Sequence, residues 1–556
     1  MGKAKELSAG KIKLIIILAA IIMFIPFLSN VHLFDWDEIN FAECSREMVA
    51  TNNYLQVTVD YNPFWEKPPL FIWSQAAMYK IFGVNEFAAR LPNEITGIIT
   101  LLILFNIGKK LFSQKFGLIW ALVYAGSLLP SIYFKTGIID PMFNLFMILS
   151  IYYIYKFYFL TQRKTKTIIL SGLFAGLAIL TKGPVGLLLT GITYLVFIIW
   201  KRKEIVIKIR DFFIFGFLAI IVSALWFGVD IIFNGFWFIG EFIRYQIRLL
   251  STGDAGHGGP FYYHFIILLI GCFPASIFLF NRIYGKKDLS AEQRGLRDIM
   301  IICLCTVVII FSIVQTKIVH YSSLAYYPIT FLAALAIDKL IKKEIKMNKV
   351  NYGLFVFIGV LYSIIFISIP LLMVNKDSWL PLVKDRFVKG NLSMNVPWSG
   401  WESLIGFIFL AGFIASFIMF LKKRYTAAVI IIFAGIIFAV NSFFTVCLPK
   451  IEVYLQGAPV KFYESMQNKD VYIEVQGYKS YAHLYYSKRT YKLSGGKLNV
   501  DGEKFRRYLL ANKVDKPVYI VCPTQDQEEV ASLEPKLRKM CEEGGFVFFK
   551  KAEEEK

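Results

Sequence analysis

Charged residues are scarce in this 556-residue chain, and their scarcity excludes an ordinary soluble protein. Only 18% of the residues are charged, whereas 56% are hydrophobic and 52 are phenylalanine. A soluble domain carries about 25% charged residues. The apolar residues gather in runs that approach the length needed to cross a bilayer, about 20 residues. The composition therefore predicts a polytopic membrane protein.

Among the charged residues, the acidic ones are the less common. The chain has 40 Asp and Glu against 61 Lys and Arg, which gives a formal net charge of +21. A strongly basic chain can bind nucleic acid. In a membrane protein, however, Lys and Arg accumulate in cytoplasmic loops and beside lipid headgroups. We therefore interpret the excess as a mark of membrane topology and expect no nucleic acid as a partner.

Several motifs of other protein classes are missing. The seven cysteines contain no Cys-x-x-Cys pair, so neither a metal knuckle nor that redox motif is expected. Cys522 and Cys541 would pair in an oxidising compartment or remain two buried thiols, and the sequence leaves both open. No small-residue cleavage pattern follows the first apolar run, so we predict a retained helix there.

Thirteen apolar runs predict membrane-spanning helices. They lie at about 13–29, 93–111, 116–134, 141–160, 167–180, 184–200, 211–234, 260–281, 298–316, 321–341, 352–374, 402–421 and 425–446. A basic cluster follows every second run. The clusters are Lys109/Lys110/Lys115, Arg163/Lys164/Lys166, Lys201/Arg202/Lys203, Lys286/Lys287, Lys342/Lys343 and Lys422/Lys423/Arg424. This alternation predicts a cytoplasmic N-terminus, with the first long loop and the C-terminal tail on the outer side.

The first outer loop is rich in carboxylates and aromatic residues, which a plain connector does not need. It carries Asp-Trp-Asp-Glu at 35–38 and Trp-Glu-Lys-Pro-Pro at 65–69. Residues 38–52 and 68–82 have apolar side chains at helical spacing. We predict two short helices there, lying in the plane of the membrane interface.

After residue 446 the composition becomes that of a small α/β domain. The predicted strands lie at 471–475, 517–521 and 546–549, and the predicted helices at 458–468, 479–487, 501–512 and 525–542. No phosphate loop or dinucleotide fingerprint opens any of these helices. We therefore divide the chain into a transmembrane catalytic domain, 1–446, and an accessory domain, 447–556, that covers the site or positions the acceptor.

Acidic side chains stand at the predicted outer ends of two spans. Asp37 and Glu38 follow the first span, and Asp140 precedes the fourth. Charges beside a membrane usually pair, conduct or catalyse. The alternative is that these residues cap helices, since each stands at a predicted helix start and a proline follows Asp140. Both interpretations stay open for Glu38 and Asp140, whereas for Asp37 we favour catalysis.

Basic side chains are predicted on the same outer face, where membrane proteins carry few of them. They are Lys67, Lys182, Arg244, Arg248 and Lys317. Such residues can bind a phosphate group, or they can only reach from an apolar helix to the headgroups. Glycosyl transfer from a lipid phosphate needs cations for the leaving phosphate, a base for the nucleophile and an apolar groove. The spans carry almost no charges, which argues against a transporter.

Three motifs, in this order, resemble a known family. They are Asp37-Glu38 with an aromatic residue, Ala and Glu at 41–43, Glu-Lys-Pro-Pro at 66–69, and Phe-Gly-Val-Asn-Glu-Phe-Ala-Ala-Arg-Leu-Pro at 82–92. Together they resemble the lipid A aminoarabinose transferases and the related protein O-mannosyltransferases, which are membrane glycosyltransferases of the GT-C fold. Weaker similarity continues through Leu-Thr-Lys-Gly-Pro at 180–184, His-Gly-Gly-Pro-Phe at 257–261, and Lys317 and Tyr321 up to Pro328, so the resemblance covers about residues 35–330.

The resemblance implies an inverting glycosyltransferase in the bacterial inner membrane, with its site on the periplasmic side. It implies a polyprenyl-phosphate-linked sugar as donor and lipid A, another glycolipid or a protein hydroxyl as acceptor. By the match, Asp37 activates the acceptor and Asp140 is a second acidic group. The implied donor-phosphate contacts are Lys67, Arg248 and Lys317, with Tyr321 nearby.

The resemblance also bears on metals and substrates. No cofactor is required, but Glu66 and His257 fall where aminoarabinose transferases can hold a divalent ion. A lone histidine is otherwise a hydrogen-bonding loop residue. The chain departs from those enzymes at Asn40 and Phe41, where they tend to have Arg-Tyr, so the sugar and acceptor stay open. The alternatives from other classes are a non-enzymatic flippase or transporter of polyprenyl-linked glycans and a membrane scaffold.

Overall fold

Helices dominate the first 446 residues. The computed structural model describes residues 7–26, 28–161, 163–252, 258–281, 288–533 and 536–552. The helices are α1 (Ala9–Phe24), α2 (Asp37–Thr51), α3 (Leu70–Phe82), α4 (Glu86–Leu111), α5 (Gln114–Ala125), α6 (Leu128–Tyr133), α7 (Asp140–Phe159), α8 (Thr165–Lys182), α9 (Val185–Trp200), α10 (Ile209–Asn234), α11 (Trp237–Ser251), α12 (Tyr263–Gly271), α13 (Ala291–Ile313), α14 (Tyr326–Ile341), α15 (Lys349–Val374), α16 (Lys376–Trp379), α17 (Arg386–Leu392), α18 (Leu404–Leu421) and α19 (Tyr425–Val446). Strands β1 (Thr58–Val59) and β2 (Asn62–Pro63) pair in the first loop.

The apolar runs predicted as spans are helical. Among the described residues, nine helices are long and apolar enough to cross a membrane, counting the 3₁₀ turn Val319–Ala325 with α14. The four remaining predicted spans correspond to shorter pieces: α1, α5 with α6, α9, and α12 with the 3₁₀ segment Ala275–Phe280. The polytopic all-α prediction is confirmed, and the count of thirteen stays a prediction. Lys286 and Lys287, from one basic cluster, lie outside the described residues.

The C-terminal segment forms the predicted small α/β domain. Its elements are α20 (Leu448–Glu452), α21 (Ala458–Ser465), β3 (Tyr472–Val475), α22 (Ala482–Tyr486), α23 (Gly502–Ala511), β4 (Val518–Pro523), α24 (Gln527–Leu533), β5 (Leu537–Glu543) and β6 (Phe546–Lys551). The sheet order is β3-β4-β6-β5, with β3 parallel to β4 and the other pairs antiparallel. All three predicted strands are present.

One predicted helix, at 525–542, is wrong in its second half, where the chain forms strand β5. The sequence carries two signals against a long helix there. Pro535 disfavours helical backbone at the residue before it. Gly544 and Gly545 both have positive φ and form the tight turn between β5 and β6. Cys522 on β4 is buried, Cys541 on β5 is exposed, and both are free thiols, so these two do not pair.

The two helices predicted in the first loop are confirmed as α2 and α3. Residues 38–48 of α2 are all buried, because α3 and α4 cover one side and the C-terminal domain covers the other. Leu33 and Ile39 share an apolar core with Val460 and Tyr463 of that domain. We call the end of the helix bundle that carries this loop the loop face.

Candidate active site

Asp37 begins α2 at the loop face, as the sequence predicts. No side chain caps the helix: the preceding residue, Trp36, makes no capping hydrogen bond. The Asp37 carboxylate instead points towards His320, whose Nε2 lies 3.5 Å from its Oδ2. About a quarter of the Asp37 side chain is exposed, 23%. A carboxylate with this much access can take a proton from a bound molecule.

Glu38 does not join Asp37, because its carboxylate is used inside the protein. Both oxygens accept hydrogen bonds from the Arg90 guanidinium, at 2.8 and 2.9 Å. The backbone N–H groups of Phe34 and Gly137 also donate to it. The buried carboxylate is desolvated, but Arg90 and these amides outweigh desolvation and lower the pKa of Glu38. Glu38 therefore links the loop to α4 as a structural group.

Asp140 meets Lys182 and the same histidine, His320, that faces Asp37. It starts α7 but makes no capping hydrogen bond, so the capping interpretation is not supported by the geometry. Its Oδ1 accepts a hydrogen bond from Lys182 Nζ at 2.6 Å. Its Oδ2 lies 3.9 Å from His320 Nε2 and accepts no hydrogen bond within the part of the chain that the structure describes. Asp37 and Asp140 thus share one imidazole.

A short 3₁₀ turn places His320 between the two carboxylates. The turn is Val319–Ala325, directly before α14. Ser323 in this turn donates to the His320 carbonyl, and Asn144, one helical turn after Asp140, donates to the Ser323 hydroxyl at 2.8 Å. These bonds tie α7 to the turn, and the imidazole position follows from that connection.

A glycine brings a second element to the end of α8. Gly183 follows Lys182 with a φ of 87°, a left-handed conformation that glycine adopts without strain. A Cβ at this position would lie only 2.2 Å from the ring of Phe242 on α11. The glycine therefore permits α11 to approach Lys182.

Tyr245 on α11 lies against two of the predicted phosphate contacts. Lys67 Nζ lies 5.3 Å from the centre of the Tyr245 ring, and Arg248 Cζ lies 5.2 Å from the same centre. Tyr321 lies beside Lys182, whose Nζ is 5.2 Å from its ring centre. The structure therefore brings Lys67, Arg248, Lys182 and Tyr321 to one region of the loop face.

Electrostatic interactions connect the two carboxylates around His320 with the two cations around Tyr245. Burial opposes the charge of Lys67, but Tyr245, Glu66 and Asp37 outweigh it and raise the pKa of the ammonium above its ordinary value. Lys67 is thus favoured as a cation beside Glu66 and Asp37. A cation in this place can bind the oxygens of a phosphate.

Two other predicted cations do not reach this region. Lys317 is buried and donates to the carbonyls of Phe311, Ser312 and Val314, so it closes the C-terminal end of α13. Arg244 points outward and pairs with Glu241, three residues before it. The Lys317 ammonium is bonded to backbone carbonyls and the exposed Arg244 guanidinium is paired with Glu241, so we leave both residues out of the donor contacts.

The predicted metal ligands do not form a site within the described residues. His257 lies outside them. Glu66 has the Lys67 ammonium 4.0 Å away, a neighbour that competes with a divalent cation. Among the described residues, no three His, Cys, Asp or Glu side chains come together as a metal site.

Sequence reasoning missed His320 and Tyr245. The chain has only five histidines, and His320 directly precedes the predicted Tyr321 at the outer end of a predicted span. Tyr245 lies between Arg244 and Arg248, two of the candidate phosphate contacts. Proximity to those residues was the available signal, but only the fold brings the imidazole to two carboxylates that are 103 positions apart in the chain.

Known proteins resemble this chain in sequence and in structure. Residues 66–227 match the family model described as dolichyl-phosphate-mannose-protein mannosyltransferase. An undecaprenyl phosphate-alpha-4-amino-4-deoxy-L-arabinose arabinosyl transferase 2 from Proteus mirabilis is 25% identical over 63% of this chain, and the match spans 64% of that relative's length. A similarly named transferase from Photorhabdus laumondii is 24% identical over 65% of this chain and 67% of its own.

A solved structure shares the whole fold. ArnT from Cupriavidus metallidurans, bound to undecaprenyl phosphate, superposes with a TM-score of 0.74, covering 98% of this chain and 99% of that one at 16% identity. At this identity the superposition establishes the fold. The chain therefore has the fold of this transferase, and its sequence is similar both to the aminoarabinose transferases and to the dolichyl-phosphate-mannose-protein mannosyltransferase family model.

Proposed function

We propose that this protein is an inverting glycosyltransferase that moves a sugar from a polyprenyl-phosphate donor to an acceptor at the periplasmic face of the bacterial inner membrane. The observation that carries the proposal is the pairing of two groups at the loop face: Asp37 with His320, and Lys67 with Arg248 around Tyr245. Glycosyl transfer needs a base beside a phosphate-binding group. The names of the relatives point to the same donor class.

In the proposed reaction, Asp37 accepts the proton of the acceptor group that attacks the sugar. The new bond forms between the acceptor oxygen and the anomeric carbon, and the bond from that carbon to the phosphate oxygen breaks. The phosphate leaves with the bonding electrons, and Lys67 and Arg248 stabilise its charge. Attack from the face opposite the phosphate inverts the anomeric centre. His320 holds Asp37 in place and separates it from the Asp140–Lys182 pair.

The proposal extends to the kind of sugar that is transferred. The curated relatives carry the name of a transferase for an aminopentose, whereas the family model is named for mannose, a hexose. We favour an aminopentose, because two relatives match about two thirds of the chain. Asn40 and Phe41, where the sequence departs from the aminoarabinose transferases, are both buried: Asn40 accepts from Cys44, and Phe41 packs on Phe71. Their side chains pack within the loop.

The proposed orientation follows from charge. The basic clusters between spans would face the cytoplasm, together with the N-terminus. The loop face, the candidate site and the domain 447–556 would then be periplasmic. Cysteine labelling of single variants from each side of intact cells tests this orientation.

The activity is tested with purified protein and labelled undecaprenyl-phosphate sugars. We expect label to move to a lipid or protein acceptor in detergent, and mass spectra of lipid A, glycolipids and surface proteins to lose one sugar when the protein is absent from cells. Movement of the donor across vesicles without any glycosidic product would contradict the proposal and favour a flippase.

A further inference from the structure

We infer that the C-terminal domain positions Asp37, through a contact between Ser480 of that domain and Asp35 of the first loop. The inference rests on the proposed role of Asp37 and adds two positioning residues that do not themselves touch substrate. It assigns the domain a part in the reaction, beyond covering the loop.

The Ser480 hydroxyl is held from two sides. It donates to Asp35 Oδ2, and it accepts from the Ala482 backbone N–H at 3.1 Å. The next residue, Tyr481, donates its N–H to Asp35 Oδ1 at 3.4 Å. Ser480 is only 4% exposed, so its hydroxyl cannot turn freely into solvent. Both oxygens of Asp35 therefore meet donors from one short segment of the C-terminal domain.

The backbone on both sides of Asp35 is hydrogen-bonded to α2, so a contact at Asp35 bears on the position of Asp37. The carbonyls of Phe34 and Trp36 accept hydrogen bonds from two N–H groups in the first turn of α2, those of Ile39 at 3.3 Å and Asn40 at 3.2 Å. Residues 34–37 thus form a continuous hydrogen-bonded turn with the helix. A shift of Asp35 has to move Asp37 as well.

The turn is anchored on its opposite side by the membrane helices. Glu38 accepts from the Phe34 N–H at 2.8 Å while its carboxylate binds Arg90 of α4. Asp37 lies between this anchor and the one made by Ser480. Two anchors fix the turn more closely than either alone, because a turn that is held at one point can still rotate about that point.

The C-terminal domain also contacts the residues on both sides of Asp35. The Leu33 N–H donates to the Tyr486 hydroxyl at 2.6 Å, and Lys479 Nζ lies 4.3 Å from the centre of the Trp36 ring. The domain docks separately on a distant part of the loop, where Arg489 binds Asp60. Docking therefore does not depend on Ser480, and removing its hydroxyl is a selective change.

The test is Ser480→Ala in the full-length protein, with Ser487→Ala as the matched control. Ser487 is in the same domain, and its hydroxyl donates to the nearby His483 carbonyl. We expect Ser480→Ala to lower kcat about ten- to hundredfold, the scale of a small misplacement of a reacting group. The KM for the polyprenyl-phosphate sugar should stay unchanged, because the cations that bind it are not moved. Ser480→Thr, which keeps the hydroxyl, should restore most of kcat.

A second measurement does not depend on activity. Hydrogen–deuterium exchange of the amides at 34–41 should become severalfold faster in Ser480→Ala, and also in Asp35→Ala, while exchange at 58–63 stays as in the unmodified protein. Unchanged exchange at 34–41 overturns the inference, as does a kcat equal to that of Ser487→Ala. If the unmodified protein transfers no sugar, the proposed function fails, and the exchange experiment still decides whether the domain holds the turn.

Discussion

Lys182 and Asp140 form a buried ion pair, with 2.6 Å between Nζ and Oδ1. The side chains are only 13% and 2% exposed. A carboxylate this deep is stable as an anion only beside a cation. The pair therefore has a structural role beside His320, whatever Lys182 also contributes to phosphate binding.

Replacing Lys182 alone should be more harmful than replacing both partners. Lys182→Met leaves the buried Asp140 carboxylate without its cation, and we expect the free energy of unfolding to fall by about 3 kcal/mol. The double variant Lys182→Met/Asp140→Asn should recover much of that loss. Denaturant titration in detergent of the unmodified protein, Lys182→Met, Asp140→Asn and the double variant measures the coupling free energy between the two side chains. Additive losses would mean that the two side chains act independently.

Asp37→Asn should slow transfer strongly and leave donor binding unchanged. An amide cannot accept the proton of the attacking group, and positioned bases contribute about 10²–10⁴-fold. We expect kcat to fall at least about hundredfold, with no change in the affinity for the polyprenyl-phosphate sugar measured by calorimetry. Asp338→Asn on α14, where Asp338 pairs with Lys342, is the isosteric control. Transfer at the normal rate by folded Asp37→Asn protein would remove this residue as the base.

Variants of the candidate phosphate-binding cations should differ in their KM for the donor. Lys67→Met and Arg248→Gln should each raise the KM for the donor about tenfold or more, because each loses a charge-assisted contact. Arg244→Gln should leave KM unchanged, since that guanidinium is exposed and paired with Glu241. Equal effects of Arg244→Gln and Arg248→Gln would show that α11 presents a different face to the donor.

Most of the fold was predictable because hydrophobic run length reports on membrane helices directly. The loop helices followed from spacing, and Asp37, Asp140 and Lys67 followed from polar residues at unexpected places. The roles of Glu38 and Lys317 were not predictable. Each is charged and lies near the loop face, but its partners, Arg90 for one and backbone carbonyls for the other, are known only once the chain is folded.

Lys317→Met should change stability and leave donor binding intact. Its ammonium donates to three carbonyls at the end of α13, which lose their donor in the variant. We expect a loss of about 1–3 kcal/mol in the free energy of unfolding. The KM for the donor should not change, in contrast to Lys67→Met. A raised KM without a loss of stability would return Lys317 to the phosphate contacts.

The docking of the C-terminal domain should depend on pH through Glu474. Arg489 binds both Glu474, at 2.8 Å, and Asp60, at 3.0 Å, so two buried carboxylates share one guanidinium. The pKa of Glu474 is raised to about 7. Burial is the main cause, the charge of Asp60 adds to the rise, and Arg489 opposes it. The folded protein therefore holds a proton that the unfolded chain releases at lower pH.

The sign of the effect follows from that difference. The stability from protonated Glu474 is fully present below about pH 4.5 and is lost as pH rises through about 7. Between pH 8 and pH 5, acidification should raise the free energy of unfolding by up to about 3 kcal/mol, the two carboxylates titrating as a pair. Glu474→Gln should flatten this part of the pH profile, whereas Glu503→Gln, on the exposed face of α23, should not. Thermal unfolding in detergent at several pH values measures the difference, and an identical slope in Glu474→Gln and the unmodified protein would assign the titration to another group.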